Sequence, residues 1–300
     1  MGTGMTYAER LLNEGGFVEG FTRGLLAPVG SDIVRSAKRT YREWRMREHG
    51  YGTSDSTFFT VTNPKVAKNE RATLVMMLAP EKAVSVYMSR TVNLCPLASK
   101  GCAEGCLGLT SGKGVLDGTK KARAVRSAFL LKFPMHAGIL IGAEVRKHQR
   151  KFGEINVRLN GTSDIRWELL DGMREIVQAE PAIRFYDYTA WSPEDRGFCP
   201  EWDLTYSAKE PSATSDAYLF DLLVHGLNVA IPFAIKKGQP LPEWILLNGR
   251  AFRVIDGDLT DDRTTDYKAP AGMDGVVVAL RWKGRHVDTS GFAREWVLAA

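Results

Sequence analysis

Residues 154–164 read Glu-Ile-Asn-Val-Arg-Leu-Asn-Gly-Thr-Ser-Asp, and this stretch decides the architecture. Ile155, Val157 and Leu159 alternate with Asn156 and Arg158, the two-residue period of a β-strand. The run stops at Asn160-Gly161-Thr162-Ser163-Asp164, a polar turn that also suits the start of a helix over Trp167 to Ala179. Further strands are expected over Ile183 to Thr189, Asp203 to Ser207, Asn228 to Ile235, Phe252 to Ile255 and Gly275 to Leu280, with a helix over Ser215 to Leu227. This alternation predicts an α/β protein with a parallel sheet, a full or partial (β/α) barrel. Reactive groups in such folds sit beyond the C-terminal ends of the strands, where loops vary while the sheet holds them still.

Upstream, β-rich runs cover Thr57 to Thr62, Ala72 to Leu78 and Val84 to Ser89, with turn residues Asn63-Pro64 and Pro80 between them. A long amphipathic helix is expected over Thr119 to Lys151, broken or kinked at Pro134, which lacks the amide that the helix ladder needs. The first fifty residues read as helices punctuated by Gly15, Gly16, Gly20, Gly24 and Gly30, with Ser31 capping the helix that runs through Trp44 to Met46. The expected organisation is an N-terminal helical extension or cover over residues 1–55 and a barrel-like domain over 56–300.

The 300 residues are 44% hydrophobic and 25% charged, enough for a packed core and unlike a disordered chain. No run approaches the roughly 20 apolar residues that cross a bilayer, and Met1 to Asn13 lacks the apolar stretch of a signal peptide. A soluble, cytoplasmic protein with no membrane partner is expected. Four cysteines are too few for a disulfide scaffold, and three crowd together as Cys95, Cys102 and Cys106, which points to metal in a reducing compartment.

Six residues separate Cys95 from Cys102 and three separate Cys102 from Cys106, a spacing of neither a paired-knuckle zinc site nor a thioredoxin-type pair. Three thiolates in one glycine-containing loop suit a [4Fe–4S] cluster that leaves one iron without a protein ligand. Structural zinc, with Cys199 or a histidine such as His136 as fourth ligand, is the alternative. At the strand ends, Asn160, Ser163, Asp164, Thr189, Ser207 and Lys209 are candidates for holding a cofactor. Asp187, flanked by Tyr186, Tyr188 and Trp191, and the Asp256-Gly257-Asp258 pair are candidates for substrate, a polar turn being the plain reading of the latter.

Residues 100–151 carry eleven Lys and Arg against three acids. Such a surplus either holds phosphate or is a solvated helix face; Lys121 and Arg123 are the candidate contacts to a nucleotide or nucleic acid. A second basic stretch, Arg35, Lys38, Arg39, Arg42, Arg45 and Arg47, falls on the helix after Ser31. Ser111-Gly112-Lys113-Gly114 lacks the first glycine and final hydroxyl of a phosphate loop, and no Gly-x-Ser-x-Gly, His-Glu-x-x-His or dinucleotide fingerprint occurs.

The loop from Cys95 through Pro96-Leu97-Ala98-Ser99-Lys100-Gly101 to Cys102 and Cys106, with Val157 to Glu168, Phe185 to Thr189 and Asp256 to Asp258, resembles a family of phage-encoded three-cysteine proteins from about Val92 to Gly284. More distantly, a three-cysteine loop after an early strand followed by βα units resembles the radical S-adenosylmethionine superfamily. That resemblance implies a full or partial barrel, and a cluster whose open iron holds the methionine part of S-adenosylmethionine. It also implies an electron donor. The cysteine gaps differ from the three and two residues usual there, and Gly105 stands where an aromatic is most common. The expected function is a phage-encoded, radical S-adenosylmethionine-like iron–sulfur enzyme acting on a nucleotide or nucleic acid in the host cell cytoplasm, with catalytic residues unassigned. A zinc-containing barrel transglycosylase or base-modifying enzyme, with Asp164 or Asp256 as nucleophile, is a second reading. A zinc-stabilised nucleic-acid-binding protein without catalysis is a third.

Overall fold

Alternation in the sequence becomes alternation of faces in the sheet. The computed structural model describes residues 4–14, 20, 24, 30–50, 58–61, 66–110, 112–196, 199–283 and 288–296. Its strands are β1 (Phe59–Thr60), β2 (Ala72–Met76), β3 (Ile155–Arg158), β4 (Ile183–Thr189), β5 (Trp202–Ser207), β6 (Val229–Phe233), β7 (Trp244–Leu247), β8 (Arg250–Asp256) and β9 (Val277–Arg281). They form one sheet in the order β1-β2-β3-β4-β5-β6-β9-β8-β7. From β2 to β6 every neighbour is parallel and in chain order, Val157 opposite Phe185 and Asp187 opposite Leu204, as the alternation predicts. β9 and β8 continue the parallel set.

The sheet does not close, so the full barrel is corrected to an open, mostly parallel sheet. Closure would require the outer edges of β2 and β8 to meet, and both are taken by antiparallel partners, β1 and β7. The β7–β8 hairpin turns at Asn248-Gly249, whose φ angles of 48° and 77° give the left-handed pair of a tight hairpin. Asn-Gly between two apolar runs is a readable hairpin signal, and β7 is the strand missed in the sequence.

The helices are α1 (Tyr7–Glu14), α2 (Asp32–His49), α3 (Lys100–Glu104), α4 (Leu107–Thr110), α5 (Asp117–Lys132), α6 (Pro134–Phe152), α7 (Met173–Ala179), α8 (Pro193–Arg196) and α9 (Asp216–Val224). The expected break at Pro134 is found, and two other expectations change in detail. The long helix is two, α5 and α6, bent by 115°, because Pro134 cannot donate to the ladder and instead begins α6. Trp167 to Ala179 splits into a 3₁₀ turn, Trp167–Leu169, and α7, with Gly172 at φ 76° between them. Val84 to Ser89 is no strand: Ala83–Tyr87 is a 3₁₀ turn tied by the Ser85 hydroxyl to both Val92 N and Val92 O, and β1 already holds the sheet edge beside β2. Gly15, Gly16, the Asn63-Pro64 turn and both ends of the first expected strand lie outside the described residues. No single helix among the described residues is long and apolar enough to cross a membrane.

Right-handed crossovers between successive parallel strands put their connections on one face. Ile155, Val157, Leu159 and Phe185 share a core there with Phe129, Leu130, Leu140 and Ile141 of α5 and α6. Val34, Ala37, Tyr41 and Trp44 of α2 and Ala8 and Leu12 of α1 join the same core. A second cluster packs α9 on β6–β9. The residues between them on β3 and β4 face the other way and meet the connection from β8 to β9. Asn156 donates to Asp262 (2.6 Å), Arg158 pairs with Asp261 (3.0 Å) and the Tyr186 hydroxyl donates to Asp261 (3.2 Å). α1 is fixed from its first turn: Thr6 and Glu9 cap each other reciprocally, and Glu9 also receives Arg166 through its backbone N, Nε and Nη2.

Candidate metal centre

Where β2 and β3 end, their loops are stitched together. Gly161 N donates to Met76 O, the Thr162 hydroxyl to Leu78 O, and Asp164 N to Leu94 O (2.8 Å). Gly161 has to be glycine here, since a Cβ would lie 2.7 Å from Met76 O. The stitching brings Cys95 over the end of β3, its Sγ 3.6 Å from Thr162 O.

Cys102 rides on α3, and α3 is clamped at its start. Ser99 caps it by accepting from Cys102 N (3.2 Å), and Glu210, just beyond β5, accepts from the Ser99 hydroxyl (2.6 Å) and Gly101 N (3.2 Å). The neighbouring Lys209 donates from Nζ to Leu97 O (3.1 Å). Cys106 starts α4, its carbonyl accepting from Leu109 N and Thr110 N. Arg123 of α5 reaches the Gly108 carbonyl, and Trp282, directly after β9, packs where a Gly105 Cβ would be. Residues following β2, β3, β5 and β9 therefore hold one loop at the C-terminal edge of the sheet. Asn160, Thr189, Lys209 and the cysteines share that edge, as expected.

Burial pushes all three thiols up, Cys102 to about 12. Asp164, Cys106 and Cys102 add to the rise at Cys95, and Cys106, Asp164 and Glu210 to that at Cys102, while Lys209 opposes it at Cys102 and Arg123 at Cys106. Three such thiols ionise together only beside further positive charge, which a bound metal would supply. Among the described residues, no group of three or more His, Cys, Asp or Glu side chains is arranged to hold a metal ion. Cys199 is buried just before β5, its Sγ 3.7 Å from Glu201, at the opposite end of that strand from Lys209. His136 packs edge-on against Phe133 on α6. Neither offers the fourth ligand of a zinc site in this arrangement.

The other candidates fall into three groups. Asn160 is saturated: its amide donates to Ile165 O and Asp187, and its oxygen accepts from Ser163 Oγ, Ile165 N and Trp167 Nε1. Asp164 accepts from Thr189 Oγ1 and Ala190 N and pairs with Arg196 (3.4 Å); burial raises its pKa and Arg196 opposes the rise. Asp187 lies buried beneath Asn160, accepting from its backbone N and from Trp202 Nε1, and burial pushes it up to about 7. These groups shape the edge and keep few lone pairs or protons for a ligand. Ser207 and Lys209 are half-buried at the end of β5, and Lys209 keeps two further N–H donors.

The substrate candidates do not converge. Lys121 is exposed on α5, whereas Arg123 points back at the cysteine loop. Asp256 takes both its oxygens to Arg281 (2.9 Å each), and Asp258 binds Arg281 and Lys283, so this acidic pair braces β8 against the end of β9. Trp282 was missed, although an aromatic directly after an apolar strand occupies the same position as the polar strand ends that were chosen. It also lines an open cavity of about 640 Å³ with Lys236, Asp288, Arg294 and Trp296.

The profile of a family described as gene product 88 matches residues 57–295. No curated protein and no solved structure matches the chain.

Proposed function

The chain belongs to the gene product 88 family, the match enclosing the cysteine loop and all nine strands, and we propose that it is a phage-encoded [4Fe–4S] enzyme binding S-adenosylmethionine. The observation that carries this reading is the set of three thiols from one loop at the C-terminal edge of a consecutive parallel sheet, with no fourth cysteine or histidine beside them among the described residues. Asp164, whose charge acts on Cys95 and Cys102, is committed to Thr189, Ala190 and Arg196. Three ligands leave one corner of a four-iron cluster open, and zinc asks for a fourth ligand at about 2.0–2.3 Å. Such a cluster supplies single-electron reduction of a bound sulfonium, fed by an external electron donor.

Cys95, Cys102 and Cys106 would be the ligands. Ser99 and Glu210 orient the helix that carries Cys102. Lys209 and Arg123 offset the charge of the thiolates, and Ser207 and Lys209 present the donors left over for a carboxylate or hydroxyl of the cofactor. A nucleotide or nucleic acid is the substrate class that best suits the basic flank, with Lys121 exposed on α5 and Lys236 and Trp282 in the cavity beside the cysteine loop. The two zinc readings have less support, since Asp164 and Asp256, the nucleophiles that a transglycosylase would use, are both in ion pairs.

Protein purified anaerobically is expected to be brown, with about four irons and as many sulfides per chain. On reduction it is expected to cleave S-adenosylmethionine. Stoichiometric zinc with no iron after anaerobic reconstitution would overturn the proposal. Glu210→Ala removes the clamp on α3 and touches no thiol. It is expected to weaken retention of the cluster against a chelator by about 10–100-fold, with unchanged far-UV circular dichroism. Retention equal to that of the unmodified protein would show that the clamp does not position Cys102.

A further inference from the structure

We propose that the outer faces of α2 and α6 form a docking surface for the phosphate backbone of duplex nucleic acid. The proposal rests on charge and packing and not on what the thiols hold.

α2 turns Val34, Ala37, Tyr41 and Trp44 inward at helical spacing, which leaves Arg35, Lys38, Arg39 and Arg42 on the solvent side, all exposed. Arg35 pairs with Asp32, whereas Arg39 and Arg42 have neither an ion pair nor a hydrogen bond among the described residues. α6 lies alongside in the opposite direction: Trp44 near the end of α2 packs edge-on against Phe133, just before α6, and Lys38 lies close enough to Glu144 to act on its charge. The last turns of α6 therefore run beside the first half of α2. They add Lys147, Arg150 and Lys151, again exposed. These charges gather at the end of α6 that feeds the start of β3, the sheet edge opposite the cysteines.

Three features favour nucleic acid. Cations on α2 recur every three or four residues, about 5 Å apart along the axis, so a row of phosphates can be met by several at once. Three of the four on α2 are arginines, whose planar fork suits phosphate oxygens. A membrane-bound helix would insert an apolar face, but that face of α2 is buried inside the protein. On α2 only Ile33 and Met46 remain as large exposed apolar residues, near its two ends.

The test is anisotropy of a fluorescein-labelled 20-base-pair duplex of arbitrary sequence, titrated with the full chain between about 50 and 200 mM salt. Binding is expected at low salt, with affinity falling linearly on logarithmic axes. The triple variant Arg39→Ala, Arg42→Ala, Lys147→Ala should bind about tenfold or more weakly, with the salt slope reduced by roughly two to three, near 0.9 per lost contact. Lys237→Ala, an exposed charge elsewhere, should change neither. Iron content should be equal in all three proteins, so failure here leaves the cluster reading intact and the reverse also holds. No binding at low salt, or equal binding by the triple variant, would overturn the proposal. So would loss of phosphatidylserine-vesicle binding in the triple variant with duplex binding unchanged, since the surface would then be a membrane contact.

Discussion

Cys95→Ala, Cys102→Ala and Cys106→Ala, each made alone, are expected to abolish the iron content and colour of anaerobically prepared protein, while Cys199→Ala keeps both. The effect should be close to all or none because all three proposed ligands come from one loop. Of the described neighbours, Lys209 and Arg123 are cationic and cannot replace a thiolate, and Asp164 and Glu210 are already engaged by other donors. Cys199 lies at the other end of β5 and contributes only a small buried side chain, so its loss should cost about 1 kcal/mol of stability and no metal. The fold should survive the three ligand substitutions, since the loop is held mainly through Ser99, Thr162, Lys209, Glu210 and Arg123. Circular dichroism checks that, and metal analysis reads the result. Full iron in any of the three, or loss of iron with Cys199→Ala, would remove the assignment of ligands.

Glu9→Ala should be the most damaging substitution away from the cysteines. The side chains of Glu9 and Arg166 are 1% and 0% exposed, and among the described residues the guanidinium is otherwise met by the carbonyls of Gly4 and Asp195 and the face of Trp191. Removing the carboxylate leaves a buried cation without its counter-charge, which costs about 3–5 kcal/mol, and the reciprocal cap on α1 is lost as well, about 1 kcal/mol. Denaturant unfolding at neutral pH measures the sum, and a loss below about 1 kcal/mol would contradict the pairing. The pH dependence gives a second check. Burial alone would raise the Glu9 carboxyl, but hydrogen bonds from Arg166 and Thr6 outweigh it and hold the group below its ordinary value. A carboxyl lowered in the fold stabilises above its unfolded pKa, about 4.3, and loses that contribution as pH falls through the folded value. The difference between Glu9→Gln and the unmodified protein should therefore be largest near neutrality and shrink below about pH 4.

The strands at Ile155–Arg158, Ile183–Thr189, Trp202–Ser207 and Val229–Phe233 were legible because a two-residue alternation is a local property. Their parallel order followed from the helices expected at Trp167 to Ala179 and Ser215 to Leu227, since a parallel neighbour needs a crossover, although no helix was expected between Thr189 and Asp203. The cysteine loop was legible for the same kind of reason: its three thiols lie within twelve residues of chain, and a loop after a strand can only sit at that strand's end. Whether the sheet closes was not local. It depended on which strand took the last free edge, and a two-residue β1 and the Asn248-Gly249 hairpin decided it.

Charge pairing was the least legible. Asp256, Asp258, Asp187 and Asp164 look alike in sequence, as acids at strand ends. Only the fold gives the first two to Arg281, 25 and 23 residues away, and sets Asp164 against Arg196, 32 residues away. Glu9 meets Arg166 across 157 residues. A sequence states which groups carry charge. It does not state which of them lose their water together, and that loss, fixed only when distant segments pack, turns an available ligand into a committed structural partner.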